Sequence, residues 1–388
     1  MSKRPPLTLT AGLLACALLN VPGAQASGPD QAAAVRRAVD EAMKPIIAEH
    51  GLPGLAVAVT IDGQRHFVEY GLASRTPEVP VTRDTIFELG SISKTFMVTL
   101  TALAEVEGKL SLSDSVTKHV PDLKGSALDQ VRLVELATHT AGGFPLQVPD
   151  EVKSEAELTA YFRAWTPQHP PGARRVYANP SIGLLGVATA RAFGQPYATL
   201  MERRLFPELG LRRTYIDVPA AEMGSYAWGT NRDGKPVRVN PGPLASEAYG
   251  IKSNAVDMIR FLEANMGVGS VPAGLARALS ATHVGYYRAG EMIQDLVWEH
   301  YPWPVALERI VAGNTPPALL NAPATAIEKP VPAQGDVFIN KTGSTGGFGA
   351  YAAFIPGKRI GIVMLANKFY PNAARVKAAH AVLSRLTE

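Results

Sequence analysis

The sequence predicts an α+β protein in which an antiparallel sheet, built from both ends of the chain and flanked by helices, carries an inserted and mostly helical domain. Three observations lead to this prediction. A helix pattern and a β-hairpin pattern stand near the start, three strand patterns and a closing helix stand at the end, and the long middle is mostly helical. Of the 388 residues, 46% are hydrophobic and 19% are charged, which is typical of a globular protein that can build a large core.

The first 26 residues have the pattern of a secretory signal peptide. Lys3 and Arg4 precede an apolar run over residues 7–19, and Ala24-Gln25-Ala26 has the small-x-small shape after which a signal peptidase cuts. The apolar run is too short to span a bilayer, which argues against a membrane anchor. We therefore expect export to the periplasm, with residues 1–26 removed.

The one cysteine, Cys16, lies inside that apolar run, so a lipoprotein site there stays a weaker alternative. Cleavage after Ala26 would remove Cys16 and leave no disulfide. It would also remove two of the 38 basic residues against 34 acidic ones, so the formal charge would fall from +4 to +2. No basic stripe with interleaved aromatic residues predicts nucleic-acid binding. We expect no membrane contact after cleavage, and a monomer.

A helix followed by a hairpin is predicted at the start of the mature chain. Asp30 is a good N-cap for an amphipathic helix that runs to His50. Residues 55–61 and 66–70 are rich in β-formers, and Asp62-Gly63 between them is a strong hairpin signal.

The rest of residues 27–388 divides into a helical middle and a sheet-forming end. Helices are predicted at residues 91–108, 132–139, 154–165, 181–193, 197–206, 255–265 and 373–386, and strands at 337–341, 349–356 and 359–367. We expect a sheet subdomain at about 27–85 and 290–388 and a mostly helical subdomain at about 86–289. A cleft at their junction is where a small-molecule site tends to lie.

The first candidate for chemistry is Ser91, three residues before Lys94 and directly after a glycine, where a helix-like pattern begins. Residues i and i+3 share a helix face, so the ammonium can lie beside the hydroxyl. The helix N-terminus adds unpaired N–H groups and a partial positive charge. A serine becomes a strong nucleophile when a base takes its proton, so this pattern predicts an acylation centre that needs partners.

Two further motifs supply such partners, Tyr177-Ala178-Asn179 in a proline-flanked loop and Lys341-Thr342-Gly343 at the end of a predicted strand. In order and rough spacing, the three motifs match those of serine penicillin-recognising enzymes. Longer stretches resemble the class C β-lactamases, the periplasmic cephalosporinases, and these stretches are residues 136–147, 247–253, 341–349 and 365–376. The resemblance covers essentially all of the mature chain. It implies a β-lactamase/transpeptidase-like fold and a serine β-lactamase that hydrolyses cephalosporins best and confers antibiotic resistance.

The resemblance also implies catalytic roles. Ser91 would form the acyl-enzyme, Lys94 would hold the serine and tyrosine oxygens, and Tyr177 would act as general base in both half-reactions with help from Lys341. A tyrosine with a pKa near ~10 is a poor base at neutral pH, so its pKa must be lowered or its proton shared with the lysines. Which of Tyr177 and Lys94 carries the proton stays open. The deacylating glutamate of class A enzymes has no counterpart, because Pro317 stands where it would lie before Leu320-Asn321.

Substrate contacts follow from the same resemblance. Asn179 and Gln147 would bind the side-chain amide, and Tyr249 would line the cleft. The backbone N–H groups of Ser91 and Ser344 would form the oxyanion hole. The remaining expected contacts are Gly343, which would let the substrate approach closely, and the carboxylate-binding set Lys341, Thr342, Asn372 and Arg375.

The histidines show no metal-ligand spacing, and neither a metal nor another cofactor is expected. Two alternatives stay open, a D,D-peptidase or esterase on the same scaffold and a non-catalytic sensor that is merely acylated. The chain departs from the family pattern at Phe369, where a polar residue is common, and at Asp295 and Val297, where glycines are usual. We expect all three to alter the rim of the cleft.

Overall fold

The protein is described here from a computed structural model that covers residue 1, residues 28–330, residue 333 and residues 335–388. The predicted signal peptide, apart from its first residue, lies outside the described residues. None of the described helices is long and apolar enough to cross a membrane.

The described part of the chain contains both helices and strands. Its α-helices are α1 (Pro29–His50), α2 (Ser93–Val106), α3 (Val116–His119), α4 (Leu133–Ala137), α5 (Glu155–Ala164), α6 (Asn179–Phe193), α7 (Tyr197–Leu200), α8 (Phe206–Leu209), α9 (Ala245–Ala248), α10 (Ala255–Asn265), α11 (Ala273–Ala281), α12 (Leu307–Gly313) and α13 (Asn372–Thr387). Its strands are β1 (Gly54–Ile61), β2 (Gln64–Arg75), β3 (Glu78–Pro80), β4 (Phe87–Glu88), β5 (Arg174–Val176), β6 (Gly229–Thr230), β7 (Pro236–Val237), β8 (Lys252–Ser253), β9 (Tyr287–Ala289), β10 (Met292–Gln294), β11 (Glu299–Pro302), β12 (Asn321–Ala326), β13 (Val337–Ser344), β14 (Gly349–Ile355) and β15 (Ile360–Ala366).

One antiparallel sheet organises the described residues, in the order β3-β2-β1-β15-β14-β13-β11-β10-β9-β12-β5. Strands β14 and β15 are buried along their whole length because both sheet faces are covered. Helices α1 and α13 pack together on one face, and α10 packs on the other, in front of α2 and α11. The predicted α+β architecture, with a sheet built from both chain ends and helices around it, is confirmed.

Several predicted elements agree with the structure and one cap does not. Ser154 and Glu157 form the predicted capping box at the start of α5, with Ser154 Oγ 3.2 Å from the Glu157 backbone nitrogen. Helix α1 begins at Pro29, one residue before the predicted N-cap Asp30, and its N-cap is Gly28. A proline at the first position suits a helix start because its missing N–H would have no helical partner there.

The strands β9, β10, β11, β12 and β5 were not predicted, and they extend the sheet beyond β13. Each has only three to six residues, too short for an alternating pattern to stand out. Strand β5 lies in the segment predicted as a loop and pairs with β12, with Val176 opposite Asn321. This pairing places Tyr177 directly at the edge of the main sheet.

Candidate active site

The candidate nucleophile Ser91 is half-buried and lies in a single 3₁₀ turn, Gly90–Ile92, directly before α2. Gly90 has φ +53°, and a Cβ atom at this position would come within 2.3 Å of the Ser344 backbone nitrogen. Glycine is therefore required twice, for the left-handed conformation and for the close approach of β13. The turn and the strand end that carry the expected oxyanion donors are in direct backbone contact.

Lys94 is the second residue of α2 and is fully buried. Its Nζ donates to Ser91 Oγ at 3.0 Å, to Asn179 Oδ1 at 2.6 Å and to the Ala248 carbonyl at 2.8 Å, which uses all three ammonium protons. Burial lowers the pKa of Lys94 to about 8; the nearby Tyr177 opposes this shift, and the positive charge of Lys341 adds to it. The side chain can therefore gain or lose a proton near neutral pH.

Tyr177 follows β5, and its backbone N–H donates to the Leu320 carbonyl at 2.9 Å. The Nζ atoms of Lys94 and Lys341 each lie 5.1 Å from the centre of its ring. Burial raises the pKa of Tyr177, but the positive charges of Lys341 and Lys94 and the neighbouring Ser91 hydroxyl outweigh it and lower the pKa to about 8. The hydroxyl is buried, and no described residue meets it with good hydrogen-bond geometry, although Ser91 and Lys94 lie close enough to stabilise its anion. Both Tyr177 and Lys94 therefore have pKa values lowered to about 8.

Two residues beside Tyr177 were missed by the sequence reasoning. The His139 ring lies 4.3 Å from the Tyr177 ring, centre to centre, and its Nδ1 accepts from the Ala178 backbone N–H at 3.3 Å. Burial and the charge of Arg175 hold the pKa of His139 well below its usual value, so it is neutral. The Arg175 guanidinium lies 5.5 Å from the Tyr177 ring centre. The one sequence signal was their position inside or next to the stretches that carry the family resemblance.

Arg175 is fully buried and belongs to a network behind the tyrosine. It donates to Glu299, also fully buried, at 2.8 Å, to the Gln294 side-chain oxygen, and to the Leu319 carbonyl at 2.5 Å. A buried charge needs such partners to offset its desolvation. The network fixes the strand end from which Tyr177 projects.

The third motif lies at the end of β13, where Lys341 is buried and its Nζ donates to the Thr342 carbonyl at 3.1 Å. A Cβ atom on Gly343 would come within 2.0 Å of the Leu89 carbonyl oxygen and 2.9 Å of the Ile92 nitrogen. Glycine at position 343 is therefore needed for a reason beyond the expected close approach of the substrate. The strand packs directly on the Ser91 turn and leaves no room for a side chain.

Two cavities meet at Ser91, Tyr177 and Ser344. One, of about 120 Å³, is lined by the motif around Lys341, by Leu319 and Leu320 and by Asn372. The other, of about 320 Å³, is lined by Leu146, Gln147, Asn179, Val239, Tyr249 and residues 344–346. Every expected site residue except Lys94 and Arg375 lines one of these cavities, and these two bond directly to residues that do.

Arg375 is placed differently from the expectation that it would meet a substrate carboxylate. Its guanidinium is fully buried and donates to the Gly343 carbonyl at 2.7 Å and to Ser344 Oγ at 2.9 Å. The Phe369 and Tyr370 rings lie 5.3 and 4.7 Å from its Cζ, and burial lowers its pKa to about 10. Its i, i+3 neighbour Asn372 does reach the cavity, with Nδ2 donating to the Asn314 carbonyl at 3.1 Å.

The expectation that Asp295 and Val297 would alter the rim of the cleft is wrong. Both are fully buried in the turn between β10 and β11. Asp295 Oδ1 lies 2.6 Å from His300 Nδ1, and burial raises the pKa of Asp295 to about 7 although the histidine opposes the shift. Val297 has φ +66°, an uncommon conformation for a β-branched residue. Phe369 is 45% exposed and stacks over Arg375 without lining either cavity.

This site combines a serine with a lysine and a tyrosine whose pKa values both lie near 8, next to strand-end N–H groups. It can therefore support acyl transfer through a serine. Among the described residues, no three His, Cys, Asp or Glu side chains are grouped so that they could hold a metal ion.

Comparison with known proteins agrees with this chemistry. The family model described as Beta-lactamase matches residues 35–387. The β-lactamase of Pseudomonas fluorescens is 45% identical over 355 residues, which cover 91% of this chain and 99% of that protein. The β-lactamase of Lysobacter lactamgenus is 46% identical over 356 residues, 92% of each chain.

Solved structures give the same result. A class C β-lactamase in complex with cefoxitin has a TM-score of 0.89 at 46% identity, over 91% of this chain and 99% of that chain. A β-lactamase/D-alanine carboxypeptidase from Pseudomonas syringae has a TM-score of 0.89 at 50% identity, over 90% and 99%. The chain belongs to the β-lactamase family, with the class C enzymes, and is a hydrolase of β-lactam amides.

Proposed function

We propose that this protein is a periplasmic serine β-lactamase that hydrolyses cephalosporins best through an acyl-enzyme on Ser91. The observation that carries the proposal is the buried contact of Lys94 Nζ with Ser91 Oγ at 3.0 Å, beside a tyrosine with a pKa near 8. A serine with a base in hydrogen-bond reach and a third group that orients it is the general arrangement of an activated nucleophile.

In acylation, Ser91 Oγ attacks the lactam carbonyl carbon while its proton passes to the Tyr177–Lys94 pair. The C–O bond forms, the charge that develops on the carbonyl oxygen is met by the N–H groups of Ser91 and Ser344, and the lactam C–N bond then breaks. The pair returns the proton to the leaving nitrogen. Because both groups have pKa values of about 8, one of them can be deprotonated near neutral pH and can then accept the serine proton as the C–O bond forms.

In deacylation, water attacks the ester carbonyl, and Tyr177 takes its proton. The C–O bond to Ser91 breaks, and the proton returns to Ser91 Oγ. Lys341 favours the tyrosine anion during this step, since its charge lowers the pKa of Tyr177. This step needs no carboxylate to activate the water, in agreement with a sequence that has no class A glutamate motif.

Substrate binding is assigned to the cavity walls. Asn179 and Gln147 would bind the side-chain amide and Tyr249 would flank it, since all three line the larger cavity. Lys341, Thr342 and Asn372 line the smaller cavity and would meet the substrate carboxylate. Arg375 is left out of this set because its guanidinium is fully buried.

The test is steady-state hydrolysis of a chromogenic cephalosporin by the purified mature protein, compared with a penicillin and a carbapenem. We expect kcat/KM to be highest for the cephalosporin, and Ser91→Ala to lower kcat by about 10⁴-fold or more. A wild-type protein that behaves like Ser91→Ala would refute the mechanism. The N-terminal sequence of the exported protein tests cleavage after Ala26.

A second candidate is D,D-peptidase activity, favoured by the names of two solved structures. The Pseudomonas syringae protein is named as a β-lactamase/D-alanine carboxypeptidase, and a Burkholderia cenocepacia protein at 47% identity is named as a D-alanine carboxypeptidase. Intact mass after mixing with penicillin separates the two functions. A short-lived adduct on Ser91 supports the β-lactamase, and an adduct that lasts for hours supports the peptidase.

A further inference from the structure

A buried carboxylate, Glu88, lies three residues before the nucleophile and has no part in the mechanism above. It is 2% exposed and accepts three hydrogen bonds. The donors are the Tyr226 hydroxyl at 2.6 Å, the Val239 backbone N–H at 2.7 Å and the Thr345 hydroxyl. Thr345 directly follows Ser344, so the carboxylate holds the residue next to the expected oxyanion donor.

A buried cation holds the other side of the same strand end. Arg375 Nη1 donates to the Gly343 carbonyl at 2.7 Å and to Ser344 Oγ at 2.9 Å. Its second amino group donates to the Tyr370 carbonyl, which ties the guanidinium to the segment before α13. Residues 343–345 are therefore bonded to a buried anion through Thr345 and to a buried cation through Gly343 and Ser344.

The strand end also has little room to move toward the nucleophile. A Cβ atom on Gly90 would lie 2.3 Å from the Ser344 nitrogen, and one on Gly343 would lie 2.0 Å from the Leu89 carbonyl oxygen. Backbone contact sets the distance between the Ser91 turn and the end of β13. The bonds to Glu88 and Arg375 set the sideways position of the strand end. Hydrogen bonds to charged groups are roughly twice as strong as neutral ones, which suits groups that must hold a donor in place.

We propose that Glu88 and Arg375 are positioning residues that hold the Ser344 N–H in the oxyanion hole opposite Ser91. This inference rests on the proposed function, in which the Ser344 N–H stabilises the tetrahedral intermediate. Neither side chain lines the two cavities, so both act through residues 343–345. A donor displaced by about 1 Å can cost up to about 100-fold in rate while the substrate still binds.

The decisive variant is Thr345→Val, which keeps the shape of the side chain and removes its bond to Glu88. We expect kcat for a cephalosporin to fall about 10-fold. Inhibition by phenylboronic acid, whose adduct with serine mimics the tetrahedral intermediate and lacks an amide side chain, should weaken by a similar factor. KM should change less than 3-fold, and Thr345→Ser, which keeps the hydroxyl, should restore both values.

Thr60→Val is the matched control. Thr60 Oγ1 donates to the Glu263 carboxylate at 2.8 Å, so it makes the same kind of buried hydroxyl–carboxylate bond, and neither residue lines either cavity. The Thr60→Val variant should have a lower Tm and an unchanged kcat and boronic acid Ki. Two further variants change the charged side chains themselves. Arg375→Lys should lower kcat and boronic acid affinity as much as Thr345→Val does, and Glu88→Gln should lower both by about 3-fold.

The outcomes separate this inference from the proposed function. If Thr345→Val and Arg375→Lys lower Tm but keep the wild-type kcat and boronic acid Ki, the two charges only stabilise the fold and the inference is wrong. If the wild type is not inhibited by phenylboronic acid, or Ser91→Ala stays active, the proposed function fails instead. A parallel loss of kcat and boronic acid affinity supports the inference.

Discussion

Two groups of buried charges meet at Tyr177, and they differ in how they are neutralised. On the cleft side, the ammonium groups of Lys94 and Lys341 donate to neutral oxygens. Behind the tyrosine, Arg175 is paired with Glu299 at 2.8 Å and also donates to Gln294, and the next residue, Asp295, has its Oδ1 2.6 Å from His300 Nδ1. In the first group, burial and the charge of Lys341 lower the pKa of Lys94 to about 8, and the charges of both lysines outweigh burial and lower the pKa of Tyr177 to about 8.

The difference shows that burial alone does not make a charge reactive. A buried cation paired with a carboxylate supports the structure, whereas Lys94, buried beside a second cation and without a carboxylate, has a lowered pKa. We therefore expect changes in the first group to alter catalysis and changes in the second to alter mainly stability.

The largest expected effect is that of Lys94→Met, which removes a cation from the cleft group. We expect kcat/KM for a cephalosporin to fall by about 10³-fold, because the serine loses its neighbour and Tyr177 loses one of the charges that lower its pKa. Lys368→Met is the control, since this lysine donates to the His50 carbonyl at 2.8 Å outside the cleft. Equal activity of the two variants would contradict the division between the groups.

Glu299→Gln tests the second group by leaving Arg175 buried without its carboxylate. We expect the free energy of unfolding to fall by about 3 kcal/mol in chemical denaturation. Glu263→Gln should cost less, because its partner Arg65 is 31% exposed. The uncompensated Arg175 lies 5.5 Å from the Tyr177 ring, so it should lower the pKa of Tyr177 further and move the acid limb of kcat/KM to lower pH. An unmoved pH profile would show that the pair has no influence on the tyrosine.

The smallest effect is expected for Asp295→Asn, within the second group. Burial raises the pKa of Asp295 from 3.8 to about 7, so the folded state disfavours its charged form. The stability that the wild type has below pH 4 is therefore lost as the pH rises through 7. The variant, which cannot ionise, should gain about 1 kcal/mol or more relative to the wild type between pH 4 and pH 8. Unfolding free energies that differ by a constant amount at every pH would rule out this titration.

The candidate catalytic residues could be found in the sequence because their motifs are short and local. Ser91 and Lys94 are three residues apart where a 3₁₀ turn leads into α2, and Lys341 lies in β13, which a clear β pattern predicted. Residues that act over long distances in the sequence were missed. Arg175 pairs with Glu299, 124 positions away, and no local pattern indicates such a contact.

Arg375 shows a second limit. Helix α13 begins at Asn372, one residue before the predicted start, and Arg375 lies three residues further on, but this spacing does not indicate which side of the helix faces the core. The strands β9, β10 and β11 were missed for a related reason. A segment of three or four residues is too short to show an alternating pattern, so its place in the sheet is decided by the strands that it pairs with.

The pairing of β1 with β15 has a consequence for the order in which this protein can be completed. Strand β1 is bonded to β2 along one edge and to β15 along the other, and β15 ends at Ala366, close to the end of the chain. During synthesis, the second edge of β1 has no partner until the last strands have been made. A truncated product that ends before β13 lacks Lys341 and Ser344 and also leaves that edge open. Enzymatic activity thus requires that the chain has been made at least through β13 and has folded.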